Sequence, residues 1–359
     1  MSAIKPTLQP ALQRIPASVF GDHLAAERDC LGFNVKTLPT FARSRIPALH
    51  DEHWFSASDY RTISLWWALA NNEPLYISGP SGAGKTSTAL QFCARLGMPV
   101  VSVTARARMD RRELIGHWAV KGGETVWIDG PALLAWKYGW VLLINEFSAA
   151  PADMWVSCND ILEGLPIDVN ATGDVVPRHP MTRVIVTDNT RGHASDIEEG
   201  FFGRQIQDRS VIDRFWHHRM EGLREDEEAA LLARTAPEAL TTGFDEERLT
   251  RLYRALAHMG ADSRAASRTR AVGFETHAVP LSHRVLSRLR DMLLDAAGQP
   301  FDPADDIVRR LMRTALAEAL DATAREAAEA LAVTTIGDLV PQLRKSRALN
   351  AVPGIRTAA

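Results

Sequence analysis

The sequence predicts an α/β fold: a mainly parallel sheet covered by helices on both faces, followed by a smaller helical region. Three observations carry this. Residues 75–87, LYISGPSGAGKTS, set a Gly-x-x-x-x-Gly-Lys-Thr loop between an apolar run and a helix-forming run. From there to about Gly222, short apolar strands alternate with helical stretches, the pattern of βαβ units. Beyond Gly222 the strand signals stop and helical patterns continue. The expected organisation is an N-terminal arm over 1–50, a phosphate-loop core over 51–222, a helical lid over 223–340 and a tail over 341–359.

Composition narrows the function classes. The chain has 359 residues, 46% hydrophobic and 24% charged, which suits a globular protein with a sizeable core. A net charge of −3 supplies no basic field for nucleic acid, so none is expected as a partner. Cys30, Cys93 and Cys158 are scattered and lack metal-ligand spacing, which suits a reducing compartment. The longest apolar runs, such as 65–70 and 141–144, are too short to span a bilayer. The first residues, MSAIKPTLQPALQRIP, lack the apolar core of a signal peptide. The expectation is a cytoplasmic protein with no membrane partner.

Taken in order, residues 1–45 are rich in Pro and scattered basic residues and have no sustained period, so an extended arm or irregular lead-in is expected. Residues 51–71 are helical in part: Ser58 can cap, and Ile63, Trp66, Trp67 and Ala70 recur at helical spacing. Strands are expected at 75–77, 100–104, 141–144 and 184–187. Two hairpins are expected, one at 118–128 around Lys121-Gly122-Gly123-Glu124, the other at 167–177 around Thr172-Gly173-Asp174. Residues 152–162 read as helix. In the helical region, 225–235, 246–259, 281–297 and 302–331 carry the pattern, and 260–280, with Arg264, Arg268 and Arg270, reads as a basic loop. The last stretch carries Arg344, Lys345, Arg347 and Arg356 and reads as a solvated tail.

The phosphate loop carries the chemistry. Gly79, Gly82 and Gly84, with Pro80, Ser81 and Ala83 between them, let successive backbone N–H groups turn inward toward phosphate oxygens. The helix that begins near Lys85, with Thr86 and Ser87 in its first turn, adds its positive end. Lys85 is the cation for the β- and γ-phosphates, and the Thr86 hydroxyl is a ligand for Mg²⁺. A second constellation is VLLINE: a buried strand ends in Asn145 and Glu146, where α/β sheets place their ligands. Asn145 can accept a hydrogen bond from a metal-bound water but brings no charge, and Glu146 is the candidate general base. The strand VIVTDNT ends in Asn189, an amide able to position the attacking water. Arg214 in IDRF and Arg284 in LSHR follow in an informative order.

GPSGAGKT, LLINEF, VIVTDNT, IDRF and LSHR, in this order, resemble the AAA+ ATPases of the MoxR branch, and most of all CobS, the AAA+ subunit of the aerobic cobaltochelatase. FSASDYRTISLWWALANNEPLYISGPSGAGKT, RRELIGHWAVKGGETVWIDGPALLAWKYG, EFSAAPADMWVSCNDILEG and VVPRHPMTRVIVTDNT support the resemblance, which spans roughly residues 50–295, with Val19-Phe20-Gly21 as a further similarity near the start. It implies a P-loop AAA+ αβα sandwich with a helical lid, in a homo-oligomeric ring, commonly a hexamer, with ATP and Mg²⁺ at subunit interfaces. By matched position it implies Lys85 and Thr86 as Walker A, Asn145 and Glu146 as Walker B, and Asn189 as sensor 1. Arg214 matches the arginine finger and Arg284 sensor 2, while the Trp118–Trp127 hairpin matches the helix-2 insert and 167–177 the pre-sensor insert. A protein with a von Willebrand A domain is the implied partner. Asn145, where that family usually has Asp, leaves open a slow, nucleotide-gated assembly ring. A GTP-using relative is a further alternative.

Overall fold

The computed structural model describes residues 10–69, 72–190, 205–269, 280–297, 307–316, 320 and 322–343. The chain divides into two compact units, Met1–Glu221 and Gly222–Ala359.

The strands of the first unit are β1 (Leu12–Ile15), β2 (Cys30–Phe33), β3 (Leu75–Ser78), β4 (Val100–Thr104), β5 (Gly116–Lys121), β6 (Glu124–Asp129), β7 (Val141–Asn145), β8 (Ile167–Val169), β9 (Asp174–Val176), β10 (Arg183–Asp188) and β11 (Trp216–Arg219). Five of them form one sheet in the order β11-β3-β10-β7-β4. Every pairing in it is parallel. Parallel strands need covered faces, and β3, β7 and β10 read accordingly as continuous apolar runs, Leu75–Ile77, Val141–Ile144 and Val184–Val186, all buried. The register sets Asp188 beside Ser78 and Thr187 beside Asn145, so the chemistry-bearing residues share one row at the C-terminal edge. The expected strands are all present, and both hairpins form, β5 with β6 and β8 with β9.

Four features differ from the sequence expectation. The helix Ala57–Ala68 is capped by Ser56, whose hydroxyl accepts from Asp59 N–H, rather than by Ser58; Ala70 lies outside the described residues. From residue 10 onward the supposed arm is built into the first unit. β1 pairs with β2, Phe33 N–H donates to the Leu96 carbonyl, and Phe20 sits 4.9–5.4 Å from the rings of Phe55, Tyr60 and Phe92. Scattered aromatics without a period were invisible as a core because their partners lie far along the chain. The helix expected over 152–162 is two short ones, Ala152–Val156 and Asn159–Leu162.

The fourth difference lies in the second unit, formed by helices Glu225–Arg234, Glu246–Thr269, His283–Ala297, Ile307–Ala315 and Ala322–Ile336 around Leu232, Leu256, Leu289, Met312 and Ala332. The second of these runs ten residues past Met259, through part of the supposed basic loop. Arg264 is no loop cation. It pairs at 2.8 Å with Glu228, which is 1% exposed, and donates to the Leu223 and Leu281 carbonyls. At Gly260 the helix passes close to the end of the Leu286 side chain, 2.6 Å from where a Cβ would stand. The Arg268 side chain and Arg270 lie outside the described residues. The expected helix over 302–331 is described as two helices, and Leu343 at the start of the expected tail is buried; Arg344, Lys345, Arg347 and Arg356 lie outside the described residues.

Candidate functional site

The loop after β3 starts with a close approach. Gly79 has φ +150°, and a Cβ there would lie 2.3 Å from the Met220 carbonyl just beyond β11, so only glycine fits. Gly84 is left-handed (φ +88°) and caps the helix Lys85–Arg95. That cap turns the helix's first N–H groups toward the loop, which favours an anion.

Lys85 is 8% exposed, and its Nζ donates to the carbonyls of Gly79 (2.9 Å) and Pro80 (2.8 Å) and to Asn189 Oδ1 (2.8 Å). Thus the loop lysine and the amide at the end of β10 meet directly. One step along the helix, Thr86 Oγ1 donates to Asn145 Oδ1 at 3.0 Å, and Thr187 Oγ1 donates to the same oxygen at 3.0 Å. The two hydroxyls are 3.3 Å apart. Among the described residues no group of three His, Cys, Asp or Glu gathers to hold a metal ion. The donors at Thr86 are neutral oxygens instead. They fit a hydrated Mg²⁺ that takes its anionic ligands from nucleotide phosphates.

Glu146 follows β7 with φ +58°, the only non-glycine residue among those described with positive φ. It caps the short 3₁₀ turn Phe147–Ala149. Asp188, 1% exposed, ties that turn to the end of β10: its carboxylate accepts from the Ser148 N–H, from Tyr76 Oη (3.3 Å) and from the Thr190 N–H (3.2 Å).

Residues 74–204 match the family described as AAA domain (dynein-related subfamily). The phosphate-loop region has the fold of an AAA domain. Protein NorQ of Paracoccus denitrificans (strain Pd 1222) is 34% identical over 125 residues, 34% of this chain and 46% of that protein. Protein CbbQ of Hydrogenophilus thermoluteolus is 29% identical over 135 residues, 37% of this chain and 49% of that protein. The chain spans about half the length of these curated relatives.

Within the matched region the structure brings together Lys85 with Asn189 and Thr86 with Asn145, and Glu146 is next in chain to Asn145. Arg214 lies after the matched residues and is held apart from that cluster. Its Nε donates to Glu163 Oε1 at 2.7 Å, and its Nη1 donates to the Ser210 carbonyl. Arg284 belongs to the second unit, exposed in the first turn of the helix His283–Ala297. Beside it, His283 Nδ1 lies 2.9 Å from Glu228.

Sequence reasoning missed Thr187, Asp188 and His53. Thr187 and Asp188 stand in the strand that ends at Asn189, and their polarity within an apolar run was the available signal. His53 gave none: it meets Ser87 Oγ at 3.2 Å and Thr88 Oγ1 at 3.3 Å from a loop more than thirty positions earlier in the chain. All three cysteines are buried, and burial pushes Cys93 up to about 12 and Cys30 and Cys158 up to about 11. No helix among the described residues is long and apolar enough to cross a membrane.

Proposed function

We propose that the chain binds ATP with Mg²⁺ and hydrolyses it as one subunit of a MoxR-type ring that remodels a protein partner. The observation that carries this reading is the meeting of Lys85 Nζ with Asn189 Oδ1 beside the Thr86–Asn145 hydrogen bond. A cation for the β/γ-phosphates, a metal-ligating hydroxyl and a water-orienting amide then converge within one turn of helix.

In this reading Gly79, Pro80, Ser81, Gly82, Ala83, Gly84, Lys85, Thr86 and Ser87 wrap the phosphates. Thr86 and Asn145 would hold a hydrated Mg²⁺. When bound, the ion offsets negative charge on the β/γ-phosphoryl oxygens. Lys85 leaves its carbonyl partners for the phosphates, while Asn189 is released to face the attacking water. Glu146 accepts that water's proton. Arg214 of a neighbouring subunit meets charge developing on the γ-phosphoryl oxygens, and Arg284 responds to bound nucleotide. The partner is a von Willebrand A protein, and a CobS-like role in a metal-chelatase assembly is the finer form of the proposal. Cytoplasmic residence belongs to the same reading.

A second reading has one specific observation in its favour. Asn145 carries no charge and its Oδ1 already accepts from two hydroxyls, which supports a slow, nucleotide-gated assembly ring. Steady-state ATPase measurement of the full chain, with Lys85→Ala as the negative control, separates the two. Turnover abolished by Lys85→Ala supports the motor. ATP binding and assembly with negligible turnover supports the gated ring, and no ATP binding at all rejects both.

A further inference from the structure

The left-handed Glu146 stands at φ +58°, ψ 44°, a backbone conformation that costs energy for any residue with a Cβ. Such a conformation persists only where the surroundings over-determine it. Two sets of contacts do so here. On one side Phe147 stacks on Trp155 at 4.2 Å, and Trp155 Nε1 donates to the Phe147 carbonyl at 3.0 Å. On the other stands Asp188. Its Oδ2 accepts from the Ser148 N–H and from Tyr76 Oη, and its Oδ1 accepts from the Thr190 N–H and Thr190 Oγ1 (3.3 Å). Ser148 Oγ and Thr190 Oγ1 close the ring at 3.0 Å.

Asp188 thus binds the turn that begins at Glu146 to the turn that contains Asn189. We propose that Asp188 is a positioning residue for hydrolysis, a buried carboxylate that holds Glu146 and Asn189 in one fixed relation without touching nucleotide. This rests on the ATPase reading above.

The carboxylate is needed for a specific reason. Each of its oxygens faces a backbone N–H, one from Ser148 and one from Thr190, and a backbone donor cannot turn away. An amide offers only one acceptor oxygen, so Asp188→Asn sets an NH₂ against one of the two N–H groups whichever way it is flipped. The turn carrying Glu146 or the turn carrying Asn189 is then released. When either turn is released, Lys85 keeps the Gly79 and Pro80 carbonyls and Thr86 keeps Asn145 as partners, so the phosphate loop retains its own bonds.

The test uses the full chain. ATPase of the unaltered protein and of Glu146→Gln is measured first; if Glu146→Gln turns over like the unaltered protein, the ATPase reading fails and this proposal falls with it. Given Glu146-dependent turnover, Asp188→Asn is expected to lower kcat about tenfold or more while ATP affinity stays within about twofold. Added to Glu146→Gln, it is expected to lower kcat by less than it does alone, because part of its effect passes through that residue. The amide of Ser148 should exchange its hydrogen faster in Asp188→Asn. Unchanged kcat, a matching loss of ATP affinity, or a full further loss in the double variant overturns the proposal while leaving the ATPase reading intact. If Asp188→Asn does not fold, Tyr76→Phe decides. It removes one donor to Asp188 and keeps the ring against Phe147 and Phe215. A kcat lowered about threefold or more at unchanged affinity supports the proposal, and an unchanged kcat overturns it.

Discussion

In the proposed site Asn145 takes the place of a carboxylate that would bring charge to Mg²⁺, and two hydroxyls donate to its oxygen. A carboxylate in its place accepts the same two bonds and adds a negative charge beside Mg²⁺, so Asn145→Asp is expected to keep or raise ATPase and to lower the Mg²⁺ concentration for half-maximal rate. Loss of all activity in Asn145→Asp together with a silent Glu146→Gln would reverse the roles given to the two residues. Lys85→Ala removes a buried cation that two carbonyls and an amide oxygen hold in place, and calorimetry should find no tight ATP binding. Glu146→Gln is expected to bind ATP and hydrolyse it about 10²–10⁴-fold more slowly. The cysteines offer a separate check. Since burial raises all three, each stays a protonated thiol through neutral and mildly alkaline pH, and the thiolate is the reactive form. A thiol reagent at pH 8 should label the folded chain slowly and the unfolded chain at once; rapid labelling of the folded chain would refute the burial.

At the scale of an element, the hairpin of β5 and β6 holds two tryptophans with different duties. Trp118 and Trp127 face each other edge to face at 5.5 Å. Trp127 packs against the core and donates to Asp129 Oδ1 at 3.1 Å, whereas Trp118 is 51% exposed and Val120 77%. Truncating the packed ring should therefore destabilise and truncating the exposed one should not. Trp127→Ala is expected to cost about 1–3 kcal/mol in denaturant unfolding, and Trp118→Ala about 0.5 kcal/mol or less. Equal costs would mean that both rings are structural. If Trp118→Ala keeps basal ATPase but loses partner stimulation, the exposed ring is a contact surface.

At the scale of the whole molecule, the phosphate site contains Lys85 but not Arg214, which its own Glu163 holds. A trans-acting arginine can be worth about 10³–10⁵ in turnover. Arg214→Ala should accordingly bind ATP normally and hydrolyse it poorly. Mixing it with Glu146→Gln subunits should recover activity at interfaces that pair an intact Glu146 with an intact Arg214. Mixed rings with no more activity than the two variants separately would remove the trans assignment.

The sequence by itself determined the phosphate loop, four of the five strands of the parallel sheet (β11 was not among them) and both hairpins, and it singled out the candidates Lys85, Thr86, Asn145, Glu146 and Asn189. Each of these is written locally, in a spacing, an apolar run or a glycine, and local signals survive without a fold. Tertiary structure alone decided the rest. The aromatic packing of residues 17–33 depends on Phe55, Tyr60 and Phe92 far along the chain. The place of Arg264, read from sequence as a loop cation, depends on Glu228 and on the Leu223 and Leu281 carbonyls. The setting of Asp188 depends on a strand register that puts it beside Ser78, and on a turn forty residues away whose N–H it accepts. A buried carboxylate is legible only once its donors have been brought to it, because burial and hydrogen bonding are properties of neighbours in space and not of neighbours in sequence.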